Sequence, residues 1–280
     1  MDDRQFEDFI RTLVAKVPPR AYEVASFERA LGYPWTRPGG SYRLTGADVE
    51  LLEDLPAGER EGLIALSEAG GRSPVLAFGS NAAPETLERK FAHFPEEDDR
   101  AVLALTGRLH DFDVGASAQP ALYGSMPATL FPSPGTAVCA TVLWVTPTQF
   151  TQLAWSELSY RLGKLRTRFD VDGGETSFDE VLAFVSRFGT FCVDERPVAL
   201  AAIEATGRTA HTLTQEQLLD AAAVHAIGPE ADAETLVRAI FEDLGEIGPK
   251  IAATVRKASM PFASDRWIPF NPAQASRDGP

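Results

Sequence analysis

The chain has 280 residues, 44% of them hydrophobic, enough to bury the core of one large domain or of an ordinary domain with sizeable extensions. A formal net charge of −14 argues against unspecific binding to nucleic acid or to an anionic membrane surface, although one local basic pocket would suffice for a small anionic substrate. The two cysteines, Cys139 and Cys192, lie in apolar β-like runs without a CxxC or a His/Cys cluster, so buried free thiols in a reducing cytoplasm are expected.

The first residues, Met1-Asp-Asp-Arg-Gln-Phe-Glu7, lack the basic and apolar regions of a signal peptide, and no stretch has the length and hydrophobicity of a transmembrane helix. Helical periodicity covers 3–16 and 47–69, separated by the Pro/Gly-rich loop Pro34-Trp-Thr-Arg-Pro-Gly-Gly-Ser41. Residues 1–73 therefore read as a helical N-terminal extension. From Pro74 the pattern becomes β-rich, with strands expected at 74–78, 101–109, 127–131, 137–145, 165–171 and 181–193. Turn signals stand at Pro132-Ser-Pro-Gly135 and Asp172-Gly-Gly174. Short strands interrupted by single helices predict an α+β fold with a curled, mostly antiparallel sheet. From about residue 197 the chain returns to helix. Thr214-Gln-Glu-Gln217 forms a capping box, and helical patterning continues to about 258. The tail from Met260 to Pro272 is aromatic and punctuated by proline. It reads either as an extended arm over its own domain or as a docking arm for another protomer, which would make a homodimer.

Within this frame, Pro74-Val-Leu-Ala-Phe-Gly-Ser-Asn81 reads as a buried strand ending in a tight turn that opens a helix at Pro84. Backbone N–H groups at such a strand-to-helix turn, aided by the helix dipole, can hold a carboxylate or an oxyanion. A second segment opens with Thr146-Pro-Thr-Gln149, a strong helix start with Thr as N-cap and Pro at the first helical position. From there Phe150, Leu153, Ala154 and Glu157 fall at i, i+3, i+4 and i+7, which puts Glu157 on the apolar face. A carboxylic acid so placed would be poised for proton transfer. Pairing with Arg161 at i+4 is the structural alternative. Asp111 and Asp113 could line a site or simply form turns. The four histidines have no metal-like spacing, and no dinucleotide fingerprint or P-loop occurs, so no cofactor or metal is expected.

Four segments resemble the γ-glutamylcyclotransferase-like family. The turn Phe78-Gly79-Ser80-Asn81 is similar to the family's Tyr-Gly-Ser-Asn turn, with Phe78 where relatives carry Tyr. Gly107-Arg-Leu-His-Asp-Phe112 resembles its second strand, and Pro127-Ala-Thr-Leu-Phe-Pro-Ser-Pro-Gly135 running into Val138-Cys-Ala-Thr-Val-Leu-Trp144 its A-T-x-x-x-S-P-G turn and following strand. Leu153-Ala-Trp-Ser-Glu157 matches the Leu-x-x-x-Glu frame of its acid. The likeness covers roughly 74–223, leaving 224–280 as a helical extension and extended tail. It implies a small, mostly antiparallel β-barrel flanked by helices, and a cyclotransferase that releases 5-oxoproline and a free amine from a γ-glutamyl amide or peptide. In that scheme Glu157 is the acid/base, and Phe78, Gly79, Ser80 and Asn81 surround the substrate. Tyr160 supplies a nearby hydroxyl, and Arg166 a cation for a second carboxylate on the leaving portion. The extensions leave room for a specialised γ-glutamyl substrate rather than glutathione. Transfer or hydrolysis of the γ-glutamyl group, and a non-catalytic binding module on the same fold, are the other readings.

Overall fold

A computed structural model describes residues 22–174, 176–242 and 245–270 of the chain; the helix expected over 3–16 lies outside them. The described chain opens with α1 (Val24–Leu31), then a hairpin of β1 (Tyr42–Thr45) and β2 (Asp48–Leu51). The helix expected over 47–69 is shortened at its front. Gly46, at φ 61°, turns the chain so that Asp48–Leu51 pairs back on β1, and α2 (Ala57–Ala69) begins only after Pro56. Cross-strand pairing here overrides a helical apolar pattern.

The centre of the fold is a closed ring of five strands: β3 (Ser73–Ala77), β4 (Ala101–Ala116), β5 (Ala128–Val145), β6 (Tyr160–Val171) and β7 (Ser177–Ser186). β3 pairs with β5, β5 with β4, β4 with β6 and β6 with β7, all antiparallel. β7 closes the ring on β3 in parallel, through Val75↔Leu182 and Leu76↔Ala183. The fold is thus α+β with a mostly antiparallel barrel, in agreement with the sequence pattern. Closure removes the exposed edges that an open sheet would present.

Two expected strands, 127–131 and 137–145, are one. The prolines of Pro132-Ser-Pro-Gly135 make an irregularity inside β5, where the register with β4 shifts between His110 and Phe112. Asp111 takes a left-handed φ of 64° there, and its Oδ1 accepts from the Gly135 N–H at 3.0 Å. A proline cannot donate to the ladder, so the pair bulges rather than ends. Conversely, the expected strand 181–193 breaks at Gly189 (φ 75°), and β8 (Thr190–Val193) comes after it.

Alternation along the strands sorts the core into two layers. Leu105 and Leu109 of β4, Val138 and Val142 of β5, Phe169 of β6 and Ala183 of β7 fill one cluster together with the C-terminal helices. Those helices are α5 (Gln215–Ala226), α6 (Ala233–Glu242) and α7 (Ile247–Val255), preceded by short strands and turns over 196–213, where helix is expected from the sequence. Complete burial of residues such as Leu109 and Phe169 contributes about 1.5–3 kcal/mol each. The opposite strand faces form a second cluster, in which Val75, Ala77, Ala104 and Leu143 pack against α3 (Pro84–Phe91) and α4 (Pro147–Ser156). Close approach of β4 and β6 needs glycine at 107, since a Cβ there would lie 2.1 Å from the Asp170 carbonyl oxygen. Past α7, Ser259–Met260 pairs with β8 and Trp267–Pro269 with β6, so this arm lies along its own barrel. Among the described residues no helix is long and apolar enough to cross a membrane.

Candidate active site

α3 and α4 bring the candidate residues together. β3 ends at Ala77, Phe78 turns into the barrel core, and Ser80–Ala82 forms a single 3-10 turn before Pro84 opens α3. α3 then runs past the turn, so that Thr86, Arg89 and Lys90, at i, i+3 and i+4, line the same cavity as Gly79, Ser80 and Asn81. The cavity measures about 340 Å³.

α4 starts as expected: Thr146 Oγ1 accepts from the Gln149 N–H, and the Gln149 side chain accepts from the Thr146 N–H. Its end differs. Glu157 is not on an inward helical face but is the C-cap residue, with φ −107° and ψ 38°, because the chain turns at once to start β6 at Tyr160. The cap places its carboxylate on the cavity wall beside the Gly-Ser-Asn turn.

The partners of Glu157 leave little trace in the sequence. Oε1 accepts from Asn81 Nδ2 at 2.9 Å and from Lys90 Nζ at 3.1 Å. Lys90 also donates to Asn81 Oδ1 at 2.7 Å and to Ser156 Oγ at 2.8 Å, so all three of its protons have acceptors. The Lys90 and Glu157 side chains are only 14% and 15% exposed, and Lys90 rather than Arg161 is the cation that Glu157 meets. Glu157 Oε2 has no hydrogen-bond partner among the described residues. Lys90 stands nine residues after Asn81, and only the helix start at Pro84 hints that it returns to the turn.

Three tyrosines complete the wall: Tyr33, Tyr123 and Tyr160. Tyr160 donates to the Ala128 carbonyl at 2.8 Å, so its proton is held by the barrel. Tyr123 stacks against Tyr33 at 6.5 Å between ring centroids. Tyr33, from the loop after α1, receives the Ala128 N–H at 2.7 Å, and its oxygen stands against Gly79 of the turn. The anion site expected at the turn is therefore partly occupied by the protein's own hydroxyl. Glycine is needed at 79 because a Cβ would stand 2.5 Å from the Tyr33 oxygen.

Burial pushes the Tyr33 phenol up to about 12 and lifts Tyr123 and Tyr160 well above the usual tyrosine value, the Glu157 charge acting in the same direction. A phenol whose folded pKa exceeds its unfolded value of about 10 stabilises the fold fully below pH 10 and loses that contribution as pH rises through 12. For Tyr33 the gap is worth on the order of 3 kcal/mol. Thermal melts followed by circular dichroism between pH 9 and 12 should show a falling midpoint, and Tyr33→Phe should flatten part of the fall.

Arg166 is not in this cavity. It lies on β6, 63% exposed and paired with Glu180 at 3.3 Å, while Lys164 binds the same carboxylate and Arg168 binds Asp170. The alternation that puts Arg166 and Arg168 on one strand face points both to the barrel exterior. Asp111 pairs with Arg266, and Asp113 is fully buried against Arg208. Among the described residues no group of three or more His, Cys, Asp or Glu side chains could hold a metal ion.

No family model matches the chain, and no curated protein does. The solved structures similar to it include γ-glutamyl cyclotransferases. One is a γ-glutamyl cyclotransferase, 18% identical, covering 41% of this chain and 66% of that one, with a TM-score of 0.32. A second is an uncharacterised human protein, 17% identical over 41% of this chain and 67% of its own, at a TM-score of 0.33. A third is a yeast γ-glutamyl cyclotransferase specific to glutathione, 11% identical over 68% of this chain and 97% of its own, at 0.30. The chain spans about two thirds of the length of the first two.

Proposed function

We propose that the cavity is the active site of a cyclotransferase that releases 5-oxoproline and a free amine from a γ-glutamyl amide or peptide. Its main support is the state of Glu157: one carboxylate oxygen is fixed by Asn81 and Lys90, and the other is left without a partner among the described residues on the cavity wall. The reaction needs little more than a held geometry and a proton carrier. The substrate's α-nitrogen attacks its own γ-carbonyl carbon, the C–N bond to the leaving amine breaks, and a five-membered lactam forms. Two protons pass in turn from the attacking to the leaving nitrogen, and Glu157 Oε2 is the atom that accepts and returns them. Lys90, 3.1 Å from Oε1, holds the carboxylate in place for that exchange. Gly79, Ser80 and Asn81 shape the substrate end of the cavity with Phe78 behind them, and Tyr160 steadies the Ala128 backbone opposite. No metal or nucleotide takes part in this scheme. The setting is the cytoplasm, with the core domain at 74–223 and the flanking segments shaping the mouth.

A second reading, a binding module without catalysis, is favoured by one observation: Glu157 is in an ion pair, as a purely structural carboxylate would be. Incubating the purified protein with a pool of γ-glutamyl peptides and amines separates the two. Mass spectrometry should show 5-oxoproline appearing as one pool member is consumed. Free glutamate would replace cyclisation by hydrolysis, and an unchanged pool would favour the binding module.

A further inference from the structure

Tyr33 reaches the cavity from a part of the chain that no motif marks. It is 3% exposed, with its ring against Tyr123 at 6.5 Å between centroids and against Trp35 at 5.7 Å. Its oxygen takes the Ala128 N–H at 2.7 Å and stands against Gly79 of the turn. A phenol oxygen has two acceptor positions and one proton. One acceptor position here meets the Ala128 N–H, and the proton is left over. That proton has no acceptor among the described residues, although the hydroxyl lies on the cavity wall between the Gly79–Asn81 turn and Ala128. A buried donor without an acceptor is a costly arrangement unless a ligand completes it. The N–H bonded to the oxygen also polarises the O–H bond and strengthens it as a donor. Burial keeps the group protonated at neutral pH.

Phe78 brings no hydroxyl to the turn, and its ring is 5% exposed within the barrel core. Gly79 lets the Tyr33 hydroxyl stand against the turn: with any side chain at 79 the Tyr33 oxygen would have to move. The Ala128 backbone is held on both sides of its Cα, its N–H by Tyr33 and its C=O by Tyr160, so the donor is rigidly placed.

We propose that the Tyr33 hydroxyl donates its hydrogen bond to the carbonyl oxygen of the scissile γ-amide and stabilises the oxyanion formed there. The proposal rests on the cyclotransferase reading and adds a catalytic residue supplied by the segment that precedes the barrel. As the α-nitrogen bonds to the γ-carbon, the carbonyl π pair moves onto oxygen and the Tyr33 hydrogen bond shortens. When the C–N bond to the leaving amine breaks, the pair returns and the proton has stayed on Tyr33 throughout. The arrangement is a preorganised one, with the ring and the oxygen's backbone partner fixed before substrate arrives.

Tyr33→Phe removes the donor and keeps the ring. Loss of one oxyanion donor is expected to lower kcat by about 10²–10³-fold with KM changed only a few-fold. A kcat within about three-fold of wild type, with the melting temperature alone reduced, would make Tyr33 a packing residue and overturn the proposal. A second measurement does not depend on turnover. Isothermal titration with 5-oxoproline, whose lactam carbonyl is the product of the reacting one, should give Kd about 5-fold weaker in Tyr33→Phe than in wild type, the worth of one net hydrogen bond. Equal affinities, or no binding to wild type, would overturn it. If wild type turns over no γ-glutamyl amide yet binds 5-oxoproline more tightly than the variant, the cyclotransferase reading fails while the Tyr33 donor site stands.

Discussion

Replacing Glu157 by glutamine is expected to lower kcat/KM for 5-oxoproline release by about 10²–10⁴-fold, the range contributed by a positioned general acid/base. The fold should survive the change. In Glu157→Gln the new amide oxygen can still accept from Asn81 Nδ2 and Lys90 Nζ, and Lys90 keeps Asn81 Oδ1 and Ser156 Oγ. What is lost is the charge opposite a nearly buried ammonium, so the midpoint of thermal unfolding should fall by only a few degrees, as for about 1–2 kcal/mol. Lys90→Met makes the complementary change. It leaves the carboxylate with Asn81 alone and should reduce activity by loosening Glu157, with a larger loss of stability. Measured together by stopped assays and calorimetry, the two variants separate a chemical from a structural role. If both lower the melting temperature and Glu157→Gln turns over substrate like wild type, Glu157 is a structural carboxylate and the proton carrier is elsewhere.

Much of this arrangement is legible in the sequence, and the parts that are not share a cause. Signals that act within a few residues are reliable. The apolar run at 74–78 becomes β3, Pro84 starts α3, and Thr146-Pro-Thr-Gln149 forms a capping box with both of its hydrogen bonds. Features that depend on partners far along the chain are not visible. Asp48–Leu51 has an apolar spacing that suits a helix, but β1 is available to pair with it. Pro132-Ser-Pro-Gly135 is turn chemistry, yet the long β4 partner carries the strand straight through it. Counting from Thr146 puts Glu157 inside its helix, and the count fails by one residue at the end, where the start of β6 decides the cap. Tyr33 and Lys90 reach the cavity only because the fold closes, 95 residues separating Tyr33 from its Ala128 partner. Arg166 shows the converse: a strong local charge pattern that the barrel turns outward to Glu180.

The largest effect on stability is expected at Asp113, far in role from the cavity. Asp113 is fully buried on β4, where Arg208 Nε and Nη2 meet its two oxygens at 2.8 Å each and the Val114 N–H adds a third bond. Arg208 Nη2 also binds the Ile203 carbonyl at 2.8 Å, so the pair ties the 201–213 segment to the barrel wall. Asp113→Ala would leave the guanidinium, only 12% exposed, without its counter-charge. Breaking such a pair costs about 3–5 kcal/mol, which corresponds to a fall in melting temperature on the order of 10 °C. Neither residue lines the cavity, so turnover by the folded fraction at low temperature should stay near wild type. The double variant Asp113→Leu with Arg208→Met decides what the pair is for. Desolvating two charges offsets most of their attraction, so an apolar pair of similar volume should recover most of the lost stability. A double variant as unstable as the sum of the single ones would show instead that the bidentate geometry itself, through the Ile203 and Val114 contacts it organises, holds the segment in place.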